Sequence, residues 1–447
     1  MTAVLMISLV FVGTLAGSES PTLSVTLVPP SPVTNQVVLD VRGAVSNPSA
    51  EPRDFEAAFY LDETVEDKRL HGESVMVAPG AKAGLRFRVP TERWRGTHRV
   101  VLQVREGGAS WTESRSVEVR PSEVRSTGRI DGTWVEFYHW SEREGRPWNE
   151  SVKEMTDAQW AEQVRGMAEL GMNVVVLEES FRNQVYVGKH RMEQRGYHGR
   201  AYYPSERYPE RMPIAAVDPI EAVLAEADRR DMYVFIPVGM YAWFDFTRGS
   251  LEWHQRVMAE LYARYGHHRS FYGWYIPEEI QGNLGNTPER WTEIVTFFRE
   301  LKAFARGVAP DKPIMLASNC HQVPQAAAVY PELLQHLDIL CPFGFHRMPE
   351  GDLSGDAAAA MLQQWCDAAG AHLWMDMELF VFGPDRALLP RPIEAVTADL
   401  ARYPTFEKVL AYQYTGLMNA PWATRKPGGD ATVALFEAYR DWLREQR

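Results

Sequence analysis

Apolar and polar residues alternate from Thr22 to about Arg120, the period of a strand that buries one face. The predicted strands are Leu23–Val28, Val37–Val45, Phe55–Leu61, Ser74–Val77, Leu85–Val89, His98–Arg105 and Trp111–Val119. Turn signals separate them, among them Pro29-Pro30, Asn47-Pro48, Pro79-Gly80 and Gly107-Gly108. Gly and Pro break a strand because one frees φ and the other lacks a ladder donor. Seven short strands in one stretch predict a small all-β immunoglobulin-like sandwich over residues 22–120. A polar linker follows over 121–130.

The period then changes. Short apolar strands alternate with amphipathic helices, the pattern of a parallel α/β sheet. The strands are Gly132–Trp140, Asn173–Leu177, Met232–Val238, Phe271–Ile280, Pro313–Ala317, Leu337–Pro342, His372–Phe380 and Lys408–Tyr414. Thr156 with Gln159 reads as a capping box, and Asp218-Pro219 and Thr287-Pro288 read as helix starts. Eight such units predict an α/β fold, a (β/α)8 TIM barrel over residues 131–447.

A chain of 447 residues exceeds one ordinary core, which agrees with two domains. The formal net charge of -12 argues against nonspecific nucleic-acid binding. Cys320, Cys341 and Cys366 form no C-x-x-C pair, so neither a disulfide framework nor a zinc ribbon is expected. Residues 1–20 read as a signal peptide: Val4 to Leu15 is mostly apolar and the small residues Ala16, Gly17 and Ser18 follow. The expected location is secreted or periplasmic, with no membrane span after signal removal.

The strand ends collect polar residues: Glu136, His139, Glu178, Glu179, Asp245, Glu278, Glu279, Asn319, His346, Asp376, Glu378 and Asn419. Singly, each is explained by a helix cap or an arginine pair. Together they are more specific, because βα loops build active sites at the C-terminal mouth of a parallel barrel. Acids on strands four and seven would face each other across that mouth. Glycosidic cleavage needs two such carboxyls, one protonated and one ionised. Glu278 and Glu279 point to opposite faces of an extended strand, so only one enters the cleft. Trp243, Tyr414 and Trp422 are candidates for stacking on sugar rings, and Trp274 and Trp374 for barrel core.

These glutamates resemble those of the clan of retaining glycoside hydrolases with barrel folds. In that clan the strand-four motif ends Asn-Glu-Pro, with the Glu as acid/base. The resemblance implies Glu279 as acid/base and Glu378 as nucleophile. Glu278 stands where the clan has an Asn that binds the sugar 2-hydroxyl, a departure that bears on substrate contacts. A closer resemblance is to a bacterial secreted barrel family catalogued as a domain of unknown function, the 4434 family. It rests on Gly132-Thr-Trp134, Gly273-Trp-Tyr-Ile-Pro-Glu-Glu279, Trp374-Met-Asp-Met-Glu378 and Phe436-Glu-Ala-Tyr-Arg440. It implies a glycosidase-like barrel and supplies no substrate. The strand-end residues themselves lead to a hydrolase of a poly- or oligosaccharide that needs no cofactor, with Glu136, His139, Glu178, Glu278, Asn319, His346, Asp376 and Asn419 as substrate-binding residues. Two rivals stand beside it. One is a non-catalytic carbohydrate-binding protein with a degenerate barrel. The other is a metal-dependent enzyme using Glu178, Asp376 and Glu378 as oxygen ligands. Carboxylates far apart, turned into the barrel wall or neutralised by arginine pairs would sink the catalytic assignment.

Overall fold

A computed structural model of the chain describes residues 20–183, 199–240 and 244–446. The proposed leader lies outside the described residues, except Ser20. The N-terminal part holds β1 (Leu23–Val28), β2 (Val33–Thr34), β3 (Val38–Ser46), β4 (Arg53–Leu61), β5 (Arg69–Val77), β6 (Lys82–Pro90), β7 (Gly96–Glu106) and β8 (Ala109–Arg120). They form a three-stranded sheet, β1-β3-β6, and a five-stranded sheet, β2-β8-β7-β4-β5. All pairings are antiparallel except that of the short β2 with β8. One face of each sheet supplies a shared core that includes Val41, Phe55, Phe59, Val100, Leu102 and Val117. The strands run longer than the apolar alternation alone marked, because the ladder extends into charged ends such as Lys82 and Arg105.

The second part opens with β9 (Gly132–Val135), α1 (Asn149–Lys153), α2 (Asp157–Glu169) and β10 (Val174–Leu177). A hairpin, β11 (Phe181–Asn183) and β12 (Gly199–Ala201), precedes α3 (Pro219–Arg229) and β13 (Tyr233–Pro237). Then come α4 (Arg248–Tyr265), β14 (Phe271–Ile280), α5 (Pro288–Val308), β15 (Ile314–Ser318), α6 (Tyr330–Leu333) and β16 (Ile339–Leu340). The chain continues through α7 (Gly355–Ala369), β17 (His372–Leu373) and β18 (Met375–Glu378), then a second hairpin, β19 (Phe380–Phe382) and β20 (Leu388–Pro390). It ends with α8 (Ile393–Arg402), β21 (Val409–Tyr412) and α9 (Asp430–Glu445).

Nine strands make one parallel sheet in the order β17-β16-β15-β14-β13-β10-β9-β21-β18, a nearly closed barrel. The two end strands are separated in sequence only by Trp374. The Trp374 N–H donates to Leu340 O at 2.9 Å, while the Met375 N–H donates to Lys408 O on the other side at 2.8 Å. N-caps start the helices where the sequence placed them: Asp218 accepts from the Glu221 N–H, and Thr287 from the Arg290 N–H. The Thr156 N–H donates to Gln159 Oε1 at 2.9 Å.

Alternation along the strands sorts side chains into two cores. Trp134, Val174, Val176, Phe235, Tyr275, Met315, Ile339, Trp374 and Leu410 fill the barrel interior. Their neighbours Val135, Val175, Leu177, Trp274, Ile276 and Met375 pack outward under the helices. Gly132 leaves no room for a side chain against β10, since a Cβ there would lie 2.1 Å from the Val174 carbonyl oxygen. Backbone cannot yield as a side chain can. Gly132→Ala is therefore expected to cost about 1–3 kcal/mol, read as a lower urea midpoint with an unchanged m-value.

The N-terminal part closes the bottom of the barrel. Val28 joins the interior cluster with Trp134 and Phe235. The Tyr272 hydroxyl donates to Leu27 O at 2.7 Å, and Asn173 Nδ2 to Ser31 O at 2.6 Å. Lys408, fully buried, donates to Pro32 O at 2.5 Å and pairs with Asp131 at 3.0 Å. With the bottom sealed and the interior packed, the open end is the one at the C-terminal strand ends.

Candidate active site

A cavity of about 200 Å3 opens at that end, lined among others by Trp134, His139, Glu144, Glu178, Tyr275, Glu279, Arg347, Asp376, Glu378 and Tyr412. Period-two alternation explains the set. Tyr275, Pro277 and Glu279 of β14 share the inward face, and Ile276 packs outward. On β18, Asp376 and Glu378 line the cavity while Met375 and Met377 join the outer core. The same parity brings Glu178 in after Val174 and Val176, and Tyr412 in after Leu410.

Glu279 and Glu378 thus line one cavity from different strands. Glu278 does not line it. It is fully buried on the outer side of β14, 3.6 Å from His254 Nε2 on α4. That imidazole is driven down to about 4 by burial, so it stays neutral.

Glu378 is 3% exposed, and its Oε1 accepts from Arg347 Nε at 2.7 Å. Its Oε2 lies 3.0 Å from His346 Nδ1. Burial alone would raise this carboxyl, but His346 and Arg347 outweigh it and hold Glu378 below the ordinary carboxylate value. Arg347 therefore keeps the carboxylate ionised and at the same time occupies one of its oxygens.

Glu136 lies behind the cavity wall. It holds His139 Nδ1 at 2.8 Å and accepts from Gln413 Nε2 at 2.6 Å. His139 Nε2 faces Glu144 at 3.5 Å. Burial would lower this imidazole, yet the two glutamates push it up to about 9, so it is a cation at neutral pH. Asp376 and Glu178 are pushed toward their neutral forms. Burial, reinforced by the charges of Glu378 and Glu178, raises Asp376 well above its usual value. Burial and the charge of Glu136 raise Glu178 to about 8.

The Glu178 shift has a sign that can be measured. The folded chain keeps this proton up to about pH 8, whereas the unfolded chain releases it near 4.5. Stability falls as pH rises through that window, and the penalty is complete above it. Glu178→Gln is expected to melt higher than the native protein above pH 8, with the difference vanishing toward pH 4.5. A series of melting curves against pH reads this directly.

Other nominated residues lie elsewhere. Asn419 is buried beside α9, where its Nδ2 donates to Thr415 O, Pro427 O and Thr432 Oγ1. Tyr414 is buried against α2, its hydroxyl beside Gly166. Trp422 is exposed and donates from Nε1 to Glu169 on the outer helix face. Asn319 Oδ1 accepts from the His321 N–H at 2.6 Å and shapes its own loop. Asn419, Trp422 and Asn319 are engaged where they stand, Tyr414 is packed in the core, and none of the four lines the cavity. Trp243 lies outside the described residues. Trp274 and Trp374 are both core.

The sequence reading missed Glu144 and the hairpin β19–β20, whose Phe380, Phe382 and Leu388 form one wall of the cavity. The Leu388 N–H donates to Glu144 O at 3.0 Å, and Arg386 pairs with Glu144 at 3.3 Å. Arg347 was visible only as the neighbour of His346. Among the described residues Glu178, Asp376 and Glu378 do not form a preformed cluster of three ligand atoms. Glu221, His267 and His268 do, outside the cavity, and both ring nitrogens of His268 already meet carboxylates.

No curated protein matches the sequence. Among solved structures, a protein provisionally described as an α-L-fucosidase from Bacteroides thetaiotaomicron superposes with a TM-score of 0.52 at 18% identity, over 71% of this chain and 93% of that one. A β-glucuronidase of Bacteroides uniformis gives 0.44 at 13% identity, over 96% and 51%. A β-galacturonidase of Eisenbergiella tayi gives 0.42 at 11%, over 95% and 72%. This chain therefore spans about half the length of the glucuronidase. The first likeness shows a shared fold. No helix among the described residues is long and apolar enough to cross a membrane. The family model for the domain of unknown function DUF4434 matches residues 130–425, and the chain belongs to that family.

Proposed function

We propose that this chain is an exported glycoside hydrolase of the retaining type, with Glu279 as general acid/base and Glu378 as nucleophile. The observation that carries the reading is that the two side chains line the same cavity at the mouth of a parallel barrel. In this reading residues 131–447 form a (β/α)8 catalytic barrel, 22–120 an immunoglobulin-like sandwich that packs under it, and 121–130 the linker. Export rests on the leader-like residues 1–20. Glu378, held ionised by Arg347 and His346, would attack the anomeric carbon. Glu279 would protonate the leaving oxygen and then deprotonate water. Glu136, His139, Glu178, His346 and Asp376 would bind or orient the sugar.

The experiment is to incubate the full-length protein with aryl glycosides and oligosaccharides and to follow the first anomer released by proton NMR. Retained configuration supports the assignment. Inverted configuration would make Glu378 a general base instead. A second reading has its own observation, the Arg347 pair on Glu378, which blunts a nucleophile. It predicts saturable sugar binding with no turnover of any glycoside.

A further inference from the structure

The cavity floor is unusual in its balance of charge. Glu144, Glu178, Glu279, Asp376 and Glu378 line it, with Glu136 just behind. Among the described residues that line it, the facing cations are Arg347 and His139, and both are engaged. Arg347 holds Glu378, and His139 sits between Glu136 and Glu144. Asp376 is 5% exposed, yet its Oδ1 has no hydrogen-bond partner. A buried carboxyl oxygen without a donor, on a side chain that lines a cavity, is costly unless a ligand supplies one. The walls around it are aromatic: Trp134 meets Tyr275 edge-on at 6.0 Å and lies 6.5 Å from Tyr412. Carboxyl oxygens ringed by aromatic faces suit a cation. At about 200 Å3 the space is smaller than the ~300 Å3 where pockets for drug-sized ligands begin, so it suits one sugar-sized ring.

We infer that the cavity binds a glycosyl residue bearing a protonated amine, with the ammonium group directed at Asp376, and that it rejects uronates. The inference builds on the glycosidase reading in taking the ligand to be a sugar. The bound amine donates to Asp376 Oδ1 and lies over the aromatic walls. A uronate carboxylate finds no unengaged cation among the described lining residues, because the ionised Glu378 and Glu144 already hold Arg347 and His139.

The test is titration calorimetry of the full-length protein with glucosamine, galactosamine and mannosamine, each beside its parent hexose and uronic acid. One amino hexose should bind at least about tenfold tighter than its neutral parent, the size of one hydrogen bond to a charged group. Its uronic acid should bind weakest. Equal affinity for amine and parent, a uronate bound as tightly as the amine, or no amino hexose bound in the millimolar range would overturn the inference. This ordering needs no variant. Asp376→Asn then tests the location. Loss of the amine preference, in a protein whose melting curve shows it folded, supports it, and an unchanged preference overturns it. Glycoside turnover is measured separately. Hydrolysis without amine preference sinks this inference and leaves the glycosidase reading standing. Amine preference without hydrolysis does the reverse.

Discussion

Glu378→Gln is expected to lower kcat on a hydrolysed glycoside by about 10^4-fold or more, the size seen when a residue that forms or breaks bonds is removed. The amide keeps the shape and can still accept from Arg347, which holds Oε1 at 2.7 Å. Sugar affinity should therefore survive within a few fold. Glu279→Gln should cost about 10^2–10^4-fold, the usual range for a general acid. That loss should shrink on substrates whose leaving group needs no proton, while the Glu378→Gln loss should not. Steady-state kinetics on a pair of aryl glycosides with different leaving groups separates the roles. If either glutamine variant keeps more than a tenth of native kcat on both substrates, the assignment of that residue is wrong.

The second large effect lies far from the cavity, where the sandwich-like part meets the barrel. Asp338 is 1% exposed. Its Oδ1 meets Arg42 Nη2 at 2.8 Å and Lys302 Nζ at 2.9 Å, and its Oδ2 accepts from the Ile314 N–H at 2.9 Å. Asp40 backs the same network, holding Arg42 at 2.7 Å and Arg86 at 2.8 Å. Asp338→Asn leaves Arg42 and Lys302 buried with one anion fewer, and breaking such a pair costs about 3–5 kcal/mol. Urea unfolding followed by tryptophan fluorescence should show the drop. The pH dependence has a definite sign. Burial would raise the Asp338 carboxyl, but Arg42 and Lys302 hold it well below its ordinary 3.8. A depressed carboxyl stabilises the fold above its unfolded value and loses that contribution as pH falls toward its folded value. The gap between native protein and variant should be full above about pH 5 and narrow below 3.8.

Much of the site was legible because strands alternate with a period of two. Once β14 and β18 are recognised as strands, parity puts Glu279 on the face of Tyr275, and Glu378 on the face of Asp376 and Trp374. Glu278 is sent to the opposite face by the same rule. Parity fails past the strand ends, where the chain turns. Asn319, Tyr414, Asn419 and Trp422 all follow the last ladder residue of their strands, and each turns away from the cavity, Asn319 and Asn419 into their own loops and Tyr414 and Trp422 toward α2.

The sequence by itself determined the main barrel strands and helices and the inward or outward parity of their ladder residues, because these depend on neighbours a few positions away. Only the tertiary structure decided what meets across the barrel. Arg347 reaches Glu378 over 31 positions, the β19–β20 hairpin packs on Glu144 over about 240, and Lys408 binds Pro32 O over 376. Such contacts carry no periodic signal. They follow from closing a twisted sheet on itself and from the N-terminal sheets sealing its lower end, which fixes which loops share the open one.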